Sequence, residues 1–141
     1  MVYHSTSEHE TVELGRRLGS ILRAGAVVAL RGGLGAGKTA FSRGIAAALH
    51  VRETLTSPTF TIVNEYEGDL PLFHFDMYRV GSDDDLFMLG WDEYLERGGV
   101  VVVEWSENIA PALPDTAITV AIERAGENAR DITVTGADLW D

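Results

Sequence analysis

Leu14, Leu18, Ile21 and Leu22 fall on one face of a helix wound at about 3.6 residues per turn. Just ahead of them, Ser7-Glu8-His9-Glu10 has the spacing of a capping box, in which the serine accepts an early helical N–H and the glutamate reaches back. Together these predict a helix over 8–23, stopped at Gly25 by a left-handed residue. The run AVVAL at 26–30 is apolar without alternation, as in a parallel strand buried on both faces. After a glycine-rich stretch at 32–39, the segment TAFSRGIAAAL (39–49) spaces Phe41, Ile45 and Leu49 by four and predicts a second helix.

Ser57-Pro58-Thr59 is extended, because a residue before proline avoids the helical region. FTIVNEY (60–66) alternates, Glu67-Gly68-Asp69 turns, and LFHFDMY (72–78) alternates again. This predicts a β-hairpin over 59–78 whose second strand is open on one face. Ser82 followed by Asp83, Asp84 and Asp85 reads as a helix start, with acids at the positive end of the dipole rather than a metal site. Helical pieces, with Trp91, Tyr94 and Leu95 as their core face, run to Arg97, break near Gly90 and stop at Gly98-Gly99. Val100–Val103 is a second buried strand, ending in Glu104-Trp105. Beyond a loop with Pro111 and Pro114, residues 117–123 and 131–135 are strands around a turn at 125–128. The class is α/β, and residues 1–141 read as one domain with no repeat and no linker.

Composition narrows the function. The chain has 141 residues, 45% hydrophobic and 23% charged, an ordinary globular balance. No apolar run approaches the roughly 20 residues of a membrane helix, and no basic-then-apolar leader is visible. The absence of cysteine excludes disulfides, thiolate zinc sites and a cysteine nucleophile, and fits a cytoplasmic location. The net charge of −11 is uneven: residues 1–50 carry six basic and three acidic groups, net +3, and residues 51–141 carry five and nineteen, net −14. So acidic a surface repels phosphate backbones and disfavours direct nucleic-acid binding; a basic protein partner, or a small anion held in the positive half, fits better. Ten of the eleven basic residues are arginine, and the single lysine is Lys38. An ammonium is a compact point charge, suited to a crowded site where a planar guanidinium fork is not.

That lysine sits in Gly32-Gly33-Leu34-Gly35-Ala36-Gly37-Lys38-Thr39, which matches G-x-x-x-x-G-K-[ST]. Such a loop curls so that successive N–H groups face a β-phosphate, which side chains would obstruct. The following helix adds its N-terminal partial charge, Lys38 reaches the β- and γ-phosphates, and the Thr39 hydroxyl ligates Mg²⁺. The alternative, a structural glycine turn, does not explain why the motif follows a buried strand and opens a helix. A phosphate loop also needs an acid at the end of a neighbouring strand. Glu104, after four valines, is preferred for the metal shell, leaving Asp76 to orient water; each could instead be a solvated strand end. Thr59 stands where a switch residue would sense the γ-phosphate, or simply starts the hairpin. Trp105 either stacks near the nucleotide or fills the core. His4, His9, His50 and His74 lack metal-ligand spacing.

GTPases of the signalling type need D-x-x-G and N-K-x-D; no Asp here has Gly three residues on, and the sole lysine is in the loop. A small-molecule P-loop kinase needs an acceptor pocket and lid for which there is little chain, and a nucleotide sensor would bind without hydrolysis. What remains is a minimal ATPase acting on a separate protein. The runs LRGGLGAGKTAFSRG (30–44), SPTFTIVNEY (57–66), HFDMYR (74–79) and VEW (103–105) resemble, in this order, the bacterial TsaE (YjeE) family of tRNA threonylcarbamoyladenosine biosynthesis. Gly33 departs from the Asp carried by family members, a side chain the backbone cradle does not need.

The resemblance implies a P-loop NTPase-like, mostly parallel sheet flanked by helices, with an inserted β-hairpin and C-terminal antiparallel strands. It implies ATP and Mg²⁺, the nucleotide held by Leu34, Gly35, Ala36, Gly37, Lys38 and Thr39, and the metal by Thr39 and Glu104, with Asp76 needed for activity. The base would lie near the first helix, bringing Glu8 close. It further implies the partners TsaD and TsaB, whose turnover the chain promotes as an accessory ATPase without transferring the group itself. Contact with tRNA would come only through that complex.

Overall fold

The computed structural model describes residues 1–33, 35–56, 63–80, 83–137 and 139. The sequence-predicted Ser82 helix start and the first residues of the hairpin, Thr59 among them, lie outside this set. The first helix, α1 (Glu8–Ile21), is capped by Ser7, whose hydroxyl accepts the Glu10 N–H at 3.1 Å. The return contact is displaced by one residue from the expected box. The Glu10 carboxylate takes both the N–H and the hydroxyl of Thr6, each at 2.8 Å. Gly25 is left-handed, φ 90°, and turns the chain into a strand.

The strands are β1 (Val2–Ser5), β2 (Val27–Arg31), β3 (Val63–Tyr66), β4 (Leu72–Asp76), β5 (Val100–Glu104), β6 (Ile118–Arg124) and β7 (Arg130–Thr135). They form one sheet in the order β1-β7-β6-β2-β5-β4-β3. Its centre, β6-β2-β5-β4, is parallel; β3 joins β4, β7 joins β6 and β1 joins β7, each antiparallel. The other helices are α2 (Lys38–Ala48), α3 (Asp83–Leu89) and α4 (Trp91–Glu96), with the break between the last two at left-handed Gly90, φ 76°.

Period-two alternation explains why the apolar runs are unbroken. Val28, Leu30, Val100 and Val102 join Leu14, Leu18, Phe41 and Ile45 in the core beneath α1 and α2. Val27, Val101 and Val103 join Phe73, Phe75 and Trp91 in a second core on the opposite face. Helices α1 and α2 meet backbone to backbone. A Cβ on Gly15 would stand 2.0 Å from the Phe41 carbonyl oxygen, and one on Gly44 the same distance from that of Val12.

Two expectations are corrected. The hairpin's second strand is not open on one face: Leu72–Phe75 are all buried, because β4 pairs parallel with β5 and leaves β3 as the edge. The stretch around Pro111 is not a plain loop but a 3₁₀ segment, Ser106–Ala112. Strand β1, which no alternation in its four residues announces, is held by register with β7 and by the terminal ammonium on the Val134 carbonyl, 3.1 Å. Among the described residues no helix is long and apolar enough to cross a membrane.

Candidate functional site

The site lies at the carboxyl ends of β2, β4 and β5, where a parallel sheet of this kind opens its ligand crevice. The chain leaves β2 at Gly32, where a Cβ would stand 2.4 Å from the Ile122 carbonyl oxygen, so only glycine lets the loop pass β6. It then curls through Gly35 and Gly37, both left-handed at φ 71° and 107°, into α2. No side chain caps α2, so its first N–H groups are left for a ligand. The loop and the start of α2 line a cavity of about 440 Å³. Gly35, Ala36, Gly37, Lys38, Thr39, Glu8 and Glu104 all border it, which brings most of the sequence-predicted residues to one place. Leu34 and Thr59 are outside the described residues.

Lys38 is only 5% exposed. Its Nζ donates to the Gly32 carbonyl at 2.6 Å and lies 3.5 Å from the centroid of the Trp105 ring, which Tyr78 packs against at 4.9 Å. Trp105 is half-buried, packs against the second core and stacks on the lysine. To do so it holds a left-handed backbone, φ 58°, which for a bulky residue costs about 1–2 kcal/mol. Burial lowers the Lys38 pKa, and the carboxylates of Glu104, Glu107 and Asp76 act in the opposite direction. A desolvated ammonium with three acids around it and, among the described residues, no direct carboxylate contact is suited to phosphate oxygens.

Thr39 Oγ1 donates to Glu104 Oε1 at 3.5 Å. Asp76 stands directly opposite Glu104 in the β4–β5 register, so two carboxylates end adjacent strands on the α2 side. Asp76 Oδ1 accepts the Tyr78 N–H at 2.9 Å, and Asn108 donates to the Met77 and Tyr78 carbonyls at 2.9 and 3.2 Å, fixing the chain as it leaves β4. Glu8 at the start of α1 meets Arg43 of α2 at 3.5 Å on the cavity rim.

Two side chains in contact with site residues escape the sequence reading. Arg130, at the start of β7, donates from Nε to the Ala36 carbonyl at 2.8 Å and from Nη2 to that of Gly35 at 3.2 Å, clasping the loop from the far end of the chain. No spacing signal marks it. His74, fully buried on β4, hydrogen-bonds through Nε2 to Glu104 Oε2. Its only signal is parity, since it shares a strand face with Asp76. The residues fit a nucleotide triphosphate and its cation. The glycine curl leaves room for phosphates, the lysine is buried and positive, and a hydroxyl and carboxylate face each other as hard oxygen donors. Among the described residues no group of three acidic or histidine side chains makes a preformed metal cage, so phosphate oxygens and water would complete the shell.

Comparison with known proteins bears on the family and the fold. The family profile described as "Threonylcarbamoyl adenosine biosynthesis protein TsaE" matches residues 5–132. The chain is 42% identical over 130 residues to the tRNA threonylcarbamoyladenosine biosynthesis protein TsaE of Treponema pallidum, covering 92% of this chain and 96% of that one. It is 44% identical over 137 residues to the protein of the same description from Streptomyces coelicolor, covering 91% and 92%. Among solved structures, Bacillus subtilis YdiB superposes with a TM-score of 0.78 at 38% identity, over 95% of this chain and 83% of that one.

Proposed function

The chain belongs to the TsaE family, which places it in tRNA threonylcarbamoyladenosine biosynthesis, and on that footing we propose that it is a Mg²⁺-dependent ATPase that serves the transferase complex without performing the transfer. One observation carries this most strongly: a single buried lysine at the end of a glycine curl, with Thr39 and Glu104 facing each other beside it.

The N–H groups of 35–39 and Lys38 Nζ would bind the β- and γ-phosphates, with Lys38 leaving the Gly32 carbonyl for the nucleotide. Thr39 Oγ1 and Glu104 would hold Mg²⁺, which when bound neutralises the phosphate oxygens. Asp76, alongside Glu104, would orient the attacking water. Thr59 would report the γ-phosphate, and Glu8 would lie toward the base. Arg130 keeps the loop in its binding shape. In this reading Trp105 holds the Lys38 ammonium in place until phosphate competes for it.

The partners proposed are TsaD and TsaB, in the cytoplasm, with tRNA reached only through them. The net charge of −14 on residues 51–141 supports a protein rather than a nucleic-acid surface. The test is ATP hydrolysis by the pure chain, alone and with the TsaB–TsaD pair. Turnover should rise when the pair is added. No rise, together with no ATP-dependent complex, would contradict the proposal.

A further inference from the structure

His74 occupies the middle of β4 with no exposed surface, and no role above uses it. An imidazole inside a sheet is unfavourable unless its ring nitrogens find partners. Nε2 has one, Oε2 of Glu104. Nδ1 has none among the described residues. The tautomer follows from the partner: Nε2 carries the proton and donates to the carboxylate, and Nδ1 is left as a bare lone pair, easier to bury unpaired than an N–H.

The strand register shows how the pair forms. His74 stands opposite Val102, and Asp76 opposite Glu104. With side chains alternating every residue, His74 and Glu104 share the α2 side and meet along a diagonal. The Glu104 carboxylate is then committed at both oxygens: Oε2 to His74 below and Oε1 to the Thr39 hydroxyl above. Without His74 it could rotate about its last torsion, and that torsion is soft.

We propose that His74 is a positioning residue that pins Oε2 of Glu104, so that Oε1 stays aimed at Thr39 and at the cation beside it. The inference rests on the nucleotide and Mg²⁺ reading above. It differs from a packing role in a testable way. Packing asks for volume; positioning asks for an N–H donor at the place of Nε2. Glutamine offers such a donor, and leucine offers only volume.

The experiment is titration calorimetry of ATP into the full chain over a series of Mg²⁺ concentrations, for wild type, His74→Leu and His74→Gln. His74→Leu should need about tenfold more Mg²⁺ for half-maximal tightening, the usual cost of removing a partner of a metal ligand. Its affinity for ATP in excess EDTA should be unchanged, and His74→Gln should recover most of the Mg²⁺ response. In wild type labelled with ¹⁵N, the His74 Nε2 proton should resonate far downfield and move when Mg²⁺ joins the nucleotide-loaded protein. If His74→Leu does not fold, the glutamine variant and this resonance decide. An unchanged Mg²⁺ requirement in His74→Leu, equal losses in both variants, or a resonance indifferent to Mg²⁺ would overturn the inference. A wild type whose ATP binding ignores Mg²⁺ would instead contradict the metal reading, and this inference with it.

Discussion

At the scale of single residues, the site combines one buried cation with two strand-end acids, and each makes a separable prediction. Lys38→Ala removes charge-assisted contacts to phosphate worth about 2 kcal/mol, or roughly thirtyfold in ATP affinity, which equilibrium binding will measure. Unchanged binding would overturn the site assignment. Glu104→Ala should raise the Mg²⁺ requirement of hydrolysis more than Asp76→Ala, because Glu104 faces the Thr39 hydroxyl and Asp76 accepts the Tyr78 N–H instead. The reverse order would exchange their roles. Lys38, Thr39 and Glu104 were legible in the sequence because motif spacing and a run of valines announce them locally. His74 and Arg130 were not. Their contacts depend on the pairing of β4 with β5 and on the approach of β7 to the loop, alignments that join distant parts of the chain and leave no local trace.

At the scale of elements, two contacts set the geometry. The crossing of α1 and α2 fixes where the phosphate loop ends, and it depends on Gly15 and Gly44. Gly44→Ala should destabilise by about 1–3 kcal/mol, since the new methyl meets backbone that cannot move aside. Gly33→Asp should be nearly neutral, because among the described residues nothing lies within 4 Å of a Cβ there. Thermal melts of both variants check the contrast; equal melting temperatures would contradict it. The entry to α1 adds a pH dependence. Glu10 has a lowered pKa, chiefly from the Thr6 backbone N–H and then its hydroxyl. A carboxylate lowered on folding contributes stability above its unfolded pKa and loses it as pH falls through the folded value. The stability gap between wild type and Glu10→Ala should therefore be fully present near neutrality and close in acid. Denaturant melts across that range would expose a gap that stays constant. Helix entry was legible as a Ser-to-Glu spacing, but not that the glutamate would choose Thr6, which depends on how β1 delivers the chain.

At the scale of the whole molecule, the two continuous apolar runs, β2 and β5, pair parallel at the centre of the sheet, and the chain's class was readable from them. The edges were less so. The hairpin's second strand looked open on one face because His74 and Tyr78 flank Asp76, yet His74 marks where β4 enters the site rather than solvent. The resulting body gathers loop, lysine, hydroxyl and acids on one rim. Every proposed role, from the positioning of Glu104 to the response to TsaB and TsaD, requires that this rim grip a triphosphate. Titration calorimetry of ATP into the folded wild-type chain in magnesium buffer tests that most directly. The account predicts saturable binding with one ATP per chain, weakened by Lys38→Ala. The absence of any heat with ATP or its analogues, from protein shown to be folded, would contradict it.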